Sequence, residues 1–335
     1  MGRTAVTSGA GIHVETGGRK IVLDPKGPVR SGLAFVSHAH VDHVHVASKG
    51  EKVIASVETR DLAKARGFDL GETVEEAEGI ELLDSGHILG SRAIRIDDEV
   101  FYTGDASGRP RAFLGKCRTR RARIMVTETT YGSPEYEFPQ TAKLVREVNS
   151  LISGSYDRGR PVVLMGYPLG KAQLLAYLFP SWEPLFYHQK VAEMNKVHLV
   201  HGVGLKQANL FDPDKDSDSL PKGPWVMVAP MSNGRGRLMA HLRKRYGAVL
   251  VAFSGWAMRP GYSASVGADY SFPLSDHCDY PELVKLVQSV SPETIFTTHG
   301  FDKEFASDLR RMGFDARPLS PYQSSISEFA MQGLD

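Results

Sequence analysis

Residues 37–46 read SHAHVDHVHV, which puts four of the chain's twelve histidines (His38, His40, His43 and His45) and Asp42 within one short stretch. Imidazole and carboxylate are both common ligands of zinc. His38 and His40 stand two apart, so in extended backbone their side chains share a face. Asp42 and His43 follow where the chain must turn. The spacing His-x-His-x-Asp-His therefore offers two pairs of ligands from one loop, and the chemistry expected of it is metal binding. His45 fits no further ligand slot and reads as a surface residue or as a support behind the ligands.

One loop does not complete a two-metal centre. The other ligands should stand at strand ends, where rigid backbone aims side chains into a shared cleft. The apolar stretch LAFV leads into the histidine loop as a buried strand. Three further strand-like stretches end in a ligand type beside glycine: IELLDSGH in His87, EVFYTGD in Asp105 and TIFTTHG in His299. Asp24 ends KIVLDP in the same way and reads as a buried acceptor bracing the histidine loop, with a simple Asp-Pro turn as the alternative.

Stepping along the chain, the first 130 residues carry short strand patterns broken by one convincing helix, VETRDLAKARG, and imply a mixed or antiparallel sheet. The pattern then alternates. TAKLVREVNSLI, KAQLLAYLF and NGRGRLMAHLRKRYG read as helices, while RPVVLMGY, PLFYHQ, WVMVAP and AVLVAFSGW read as strands. Such alternation implies a parallel α/β domain, expected over residues 140–262. The end adds a helix (YPELVKLVQSV), a strand (TIFTTHG) and a helix (DKEFASDLRRMG). The polar loop 211–224 imitates the opening of a calcium loop with Asp212, Asp214, Asp216 and Asp218. Ser217 stands where such a loop needs glycine and Gly223 where it needs glutamate, so that reading fails.

The length of 335 residues allows two domains, and the net charge of +1 implies no general affinity for polyanions. Local charge says more. Arg109, Arg111, Lys116, Arg118, Arg120, Arg121 and Arg123 form one basic run, and Arg235, Arg237, Arg243, Lys244 and Arg245 a second. Either becomes a phosphate track only if it flanks the metal site. Two cysteines, Cys117 and Cys278, do not make a disulfide framework, and Cys278, though beside His277, reads as a small buried residue. No uncharged run approaches the ~20 apolar residues of a spanning helix, and the start lacks an apolar signal segment. The expected location is the cytoplasm, with no membrane partner.

The motifs SHAHVDH, SGHILGS, YTGDAS and VTETTYG resemble, in order, those of metallo-β-lactamase-fold hydrolases. With SDH at residues 275–277 the chain is similar to the β-CASP nucleases, which include RNase J, the pre-mRNA 3′-end endonuclease and Artemis-type repair nucleases. The resemblance implies an α/β fold. A metallo-β-lactamase αββα sandwich would form from residues 1–139 and 263–335, with a parallel α/β β-CASP cap domain inserted at 140–262. It implies two zinc ions, or manganese. His38, His40 and His87 would hold one, Asp42, His43 and His299 the other, and Asp105 would bridge them. Glu128 and His277 resemble the family's additional acid–histidine pair. MVTETTYGSPEYEFP, MGYPLGKAQ, FSGWAMRPG and FPLSDHCDYPEL are most similar to DNA ligase-associated exonucleases, with archaeal mRNA 3′-end processing factor-like proteins related to them. His299 stands where Artemis-type DNA nucleases tend to carry an apolar residue and RNA-cleaving members a histidine.

The activity implied is metal-dependent hydrolysis of phosphodiester bonds in single-stranded nucleic acid, as a 5′→3′ exonuclease of DNA repair that prefers a 5′-phosphate. An RNA-processing nuclease and a small-molecule acyl hydrolase are the alternatives. A metal-free scaffold ranks last, because every ligand position holds a competent residue. Asp42, Glu128 and His277 would carry catalysis, with His277 protonating the leaving oxygen. The strand itself should meet Gly170 and Lys171 at a helix start, and Ser254, Gly255 and Trp256 at a strand's carboxyl end. Trp256, Tyr167 and Tyr262 are candidates to stack bases. The partners implied are single-stranded DNA or RNA, and a DNA ligase or another repair or processing protein.

Overall fold

The computed structural model describes residues 4–319, which separate into two compact units: 4–110, 114–137 and 277–319 in the first, 111–113 and 138–276 in the second.

The first unit is built on two six-stranded mixed sheets. In one, Ala5–Gly9, Gly11–Thr16 and Arg19–Leu23 run antiparallel, and Leu33–Phe35, Val53–Ile54 and Thr73–Val74 continue in parallel. In the other, Asp315–Pro318, Thr294–Thr298, Ile124–Glu128 and Val100–Tyr102 are parallel, followed by Arg92–Ile96 and Ile80–Asp84 in antiparallel pairing. Alternation along the strands sends Ile12, Val14, Phe35 and Ile54 against Ile94, Tyr102 and Val126 in one buried cluster. The second sheet's other face, with Phe101, Met125 and Ile295, is covered by Leu283, Val287, Phe305 and Leu309. Those residues come from the helices Tyr280–Val290 and Asp302–Arg311. Ile124–Glu128 is buried at every residue, as a central strand between parallel neighbours requires.

The second unit holds one six-stranded sheet in the order Asn209–Phe211, Leu185–His188, Val226–Pro230, Val162–Gly166, Val249–Phe253, Tyr270–Phe272. Every pairing in it is parallel. Trp225, Met227, Leu242 and Leu250 centre its core. Both cysteines are buried thiols outside any disulfide, and no helix among the described residues is long and apolar enough to cross a membrane.

Three features differ from the sequence reading. The second unit does not stop at Tyr262. The chain continues into a short helix, Tyr262–Val266, and then adds Tyr270–Phe272 as an edge strand to the same sheet, so residues 263–276 belong there. A three-residue edge strand, none of it fully buried, carries too little pattern to be read. The helix Gln189–Val200 follows strand Leu185–His188 without a break, and its scattered apolar residues hide its period. The N-terminal hairpin of Ala5–Gly9 and Gly11–Thr16 also went unrecognised, because its turn is made by glycine rather than by an Asn-Gly or Asp-Gly pair.

Candidate metal centre

Four strand ends bring the candidate ligands together. Leu33–Phe35 leads to His38, Ile80–Asp84 to His87, Val100–Tyr102 to Asp105 and Thr294–Thr298 to His299. His38 Nε2, His40 Nδ1, His87 Nε2 and an Asp105 carboxylate oxygen can all lie within 4.8 Å of one another. His40 Nδ1 stands 3.1 Å from both His38 Nε2 and His87 Nε2. Asp105 faces two groups at once. Its Oδ2 is 3.3 Å from His38 Nε2 and 3.5 Å from His87 Nε2, while its Oδ1 is 3.6 Å from His43 Nε2. Asp42 Oδ2 lies 3.5 Å from the same His43 nitrogen, and the His299 ring is centred 5.6 Å from the His43 ring.

The hydrogen bonds behind the ligands fix which nitrogen points inward. Asp24 accepts from the Ser37 N–H, the Ser37 hydroxyl, the Tyr102 hydroxyl and His43 Nδ1, each at 2.7 Å. His43 Nδ1 therefore carries its proton outward, which leaves Nε2 as the nitrogen that would offer a lone pair to a cation. The Ser37 hydroxyl has given its proton to Asp24, so it accepts from His38 Nδ1 at 3.0 Å, and His38 Nε2 is likewise a lone pair. Converging lone pairs and a carboxylate repel one another unless a cation sits among them, so this donor set fits a divalent metal.

Charge tells the same story. Burial works against ionising Asp105 and Asp42, but the facing histidines, His43 foremost, outweigh it and hold both carboxylates well below their ordinary range. Burial also opposes charge on His43, yet Asp105, Asp42 and Asp24 hold it well above the usual imidazole value. A bound cation competes with that proton. Burial, with the charge of His43 next, pushes His299 down. His299 and Gly300 both adopt left-handed backbone, with φ of 62° and 58°. A Cβ on Gly300 would meet the Thr129 carbonyl at 2.6 Å, so only glycine lets the turn close against that strand.

Glu128 and His277 form the expected pair, with His277 Nδ1 at 2.9 Å from Glu128 Oε2. Glu128 also accepts from the Ala106 N–H at 2.8 Å and from the Thr130 hydroxyl. The Cys278 N–H in turn donates to the Ala106 carbonyl at 2.6 Å. His277 is thus locked to the loop that presents Asp105, and a carboxylate oxygen of Asp105, one of Glu128 and a nitrogen of His277 also lie within 4.8 Å of one another. The ring centres of His277 and His87 are 4.5 Å apart.

The other sequence candidates sit differently. Lys171 is 1% exposed and donates to Asp276 at 2.6 Å within the second unit. It is not the exposed cation at a helix start that was expected. The Gly170 N–H, which was to meet phosphate, donates to Gln173 Oε1 at 2.8 Å. Ser254 is buried, and its hydroxyl accepts from the Trp256 N–H at the start of a 3-10 turn. Gly255 is buried too, and Trp256, half-buried, carries the Arg259 guanidinium 4.5 Å from its ring centre. His45 supports the loop from behind, with Nε2 2.7 Å from Glu51. The arginine run is no continuous track. Arg109 binds Asp279 and Glu282, Arg120 binds Glu81, and Arg123 binds Glu99. In the second run Arg243 binds Asp269 and the Gly267 carbonyl.

Sequence reasoning missed Tyr102, Lys26, Arg66 and the bracing role of Arg109. Lys26 donates to the Asp42 carbonyl, and Arg66 to the Ala39 carbonyl at 2.7 Å, so two cations hold the histidine loop by its backbone. No residue pattern near either signals a carbonyl partner far along the chain.

Residues 266–317, which include His277 and His299, match the Zn-dependent metallo-hydrolase RNA specificity domain. The chain is 33% identical over 299 residues to a probable DNA ligase of Opitutus terrae, covering 84% of this chain and 28% of that one. It is 24% identical to the DNA cross-link repair 1A protein of Mus musculus, over 79% of this chain and 28% of the other. With transcription termination factor FttA of Methanocaldococcus jannaschii it shares 27%, over 81% and 54%. The chain therefore spans from about a quarter to about half of the length of these relatives. A protein of unknown function from Enterococcus faecalis V583 shares the fold with a TM-score of 0.62 at 14% identity, covering 95% of this chain and 97% of that one. By these likenesses the chain belongs to the metallo-β-lactamase-fold β-CASP family.

Proposed function

We propose that the chain is a two-metal phosphodiesterase that cleaves single-stranded nucleic acid from a 5′ end, with DNA as its substrate. One observation carries the reading: Asp105 turns one carboxylate oxygen to His38 and His87 and the other to His43. Divalent cations in those two groups would supply an activated water and neutralise charge on the scissile phosphate. The remaining work belongs to the chain. Asp42, the partly exposed carboxylate of the set, orients the attacking water. His277, held through Nδ1 by Glu128, moves a proton to the leaving oxygen. An acyl hydrolase with the same ligands has less need of such a fixed donor, and the pair therefore favours the phosphodiester. The printed names of two relatives, a DNA ligase and a DNA cross-link repair protein, support DNA. The matched RNA specificity domain and the termination factor make RNA the rival to be tested.

End-labelled single-stranded DNA and RNA of one sequence, each with 5′-phosphate or 5′-hydroxyl, should be compared with a circular single strand. Stepwise loss of 5′ nucleotides from linear DNA and an intact circle are expected. Equal cleavage of the circle would overturn the end-dependent mode. His277→Ala should keep its metals and cleave on the order of 100-fold more slowly. Loss of a metal in that variant would make His277 a ligand instead.

A further inference from the structure

Two cavities of the first unit adjoin at Lys26. The inner one, about 200 Å³, is lined by His43, His299, Lys26, Ser8 and Gly9, with the carboxylates of Asp24 and Asp302. The outer one, about 420 Å³, is lined by Lys26, Arg30, Lys20, His13 and Glu15. Between them runs the turn of the N-terminal hairpin, where Gly9 and Gly11 present no side chains. Gly11 has a φ of 116°, and a Cβ there would strike Pro25 at 2.9 Å, while one on Gly9 would strike His13 Nε2 at 2.9 Å. At Gly11, whose contact is with backbone and whose φ is positive, the packing forbids a side chain. The far wall is fixed as well, since the Lys26 N–H donates to Ala10 and the Val29 N–H to Glu51.

The charges are placed for an anion. Pairing across strands puts His13 opposite Val22 and Glu15 opposite Lys20, on one face. Lys20 pairs with Glu15 at 3.1 Å, but both are more than half exposed, and such a pair is weak. Arg30 is exposed, and neither it nor Lys26 has a carboxylate in salt-bridge range among the described residues. In the outer cavity three cations, Lys20, Lys26 and Arg30, thus face one carboxylate, Glu15. The outer cavity is lined by no phenylalanine, tyrosine or tryptophan.

We infer that this groove carries the sugar–phosphate backbone of the bound strand beyond the scissile phosphate, with Lys26, Arg30 and Lys20 each answering a phosphate. The inference rests on the nucleic-acid reading above. It makes the contact electrostatic and independent of sequence, because phosphate contacts position a strand without reading it.

The test uses direct binding, so that it does not depend on turnover. An Asp105→Asn background is titrated with fluorescent single-stranded oligonucleotides from four to sixteen nucleotides long, with and without Lys20→Ala and Arg30→Ala together. Affinity should rise with length in the parent. In the double variant that gain should shrink by about tenfold, and the slope of log Kd against log salt should fall by about 1.4, two contacts at roughly 0.7 each. Thermal unfolding checks that the variant is folded. Unchanged length dependence and salt slope would overturn the groove, as would an equal loss at every length, which would place the effect at the metal centre. If the wild type binds long strands in this way and cleaves none of them when loaded with metal, the phosphodiesterase reading fails while the groove stands.

Discussion

Asp24 shows how much of a metal centre is decided by a residue that touches no metal. One carboxylate accepts four hydrogen bonds at 2.7 Å, and through them it selects the tautomer of His43 and, by way of Ser37, that of His38. Burial opposes its charge, but His43, His38 and the Ser37 amide outweigh that and keep it ionised. It also holds a left-handed φ of 44°, which aspartate tolerates better than most residues. Asp24→Asn exchanges one acceptor oxygen for a donor in a place that offers only donors. The metal-free protein should lose roughly 3 kcal/mol of stability, the scale of buried polar groups left unsatisfied, and zinc should bind about 10- to 100-fold more weakly. Chemical unfolding with chelator present and a competitive zinc titration measure the two effects separately. Wild-type values in both would mean that the histidines orient themselves without Asp24.

At the scale of elements, the candidate ligands that the structure brings together were legible because they are strong chemical signals, four in one short loop and three at strand ends near glycine, and strand ends are where apolar pattern stops. The brackets between them were not legible, because they join residues far apart in sequence. Arg109 is the clearest case. It was read as part of a basic run, yet its guanidinium grips Asp279 and Glu282, the two residues that cap the helix Tyr280–Val290 right after His277. Lys171 was misread for the same reason, its partner Asp276 being 105 residues away. The arginine clamp makes a prediction. Arg109→Met keeps the aliphatic packing and frees the cap, so the His277 loop should loosen while the ligands stay in place. A fall in kcat of about 10- to 100-fold with KM and metal content unchanged is expected, the penalty of a misplaced catalytic group. Arg109→Lys should recover part of it. A fall in metal content matching the fall in rate would show instead that the clamp serves the ligand loop as a whole.

At the scale of the whole molecule, buried histidines answer acid differently according to whether carboxylates surround them. In the first unit His43 is wrapped in carboxylates that raise it. In the second, His188 and His198 are buried and pushed down to about 4. Burial is the main cause for both. Lys190 adds to it at His188 while Asp212 opposes, and at His198 the bond to the Met194 carbonyl opposes. His188 Nδ1 accepts from the Lys190 N–H at 3.2 Å, capping the helix Gln189–Val200, so a proton there removes the cap. His198 donates through Nδ1 to the Met194 carbonyl at 2.9 Å, and its Nε2 is buried with no hydrogen-bond partner among the described residues. Both folded values lie below the unfolded value near 6.5, so between pH 6.5 and 4 the unfolded chain binds more protons. Their contribution to stability is therefore whole above about pH 6.5, declines as pH falls toward 4 and is flat below. Each histidine accounts for up to about 3 kcal/mol across that window. Other groups titrate there as well, so the decisive quantity is a difference. Unfolding free energies of the wild type and of His198→Gln, measured from pH 7.5 to 4.5 with chelator present, should converge as pH falls, because only the wild type takes up a proton at residue 198 on unfolding. A constant gap between the two curves would show that His198 titrates normally in the folded protein.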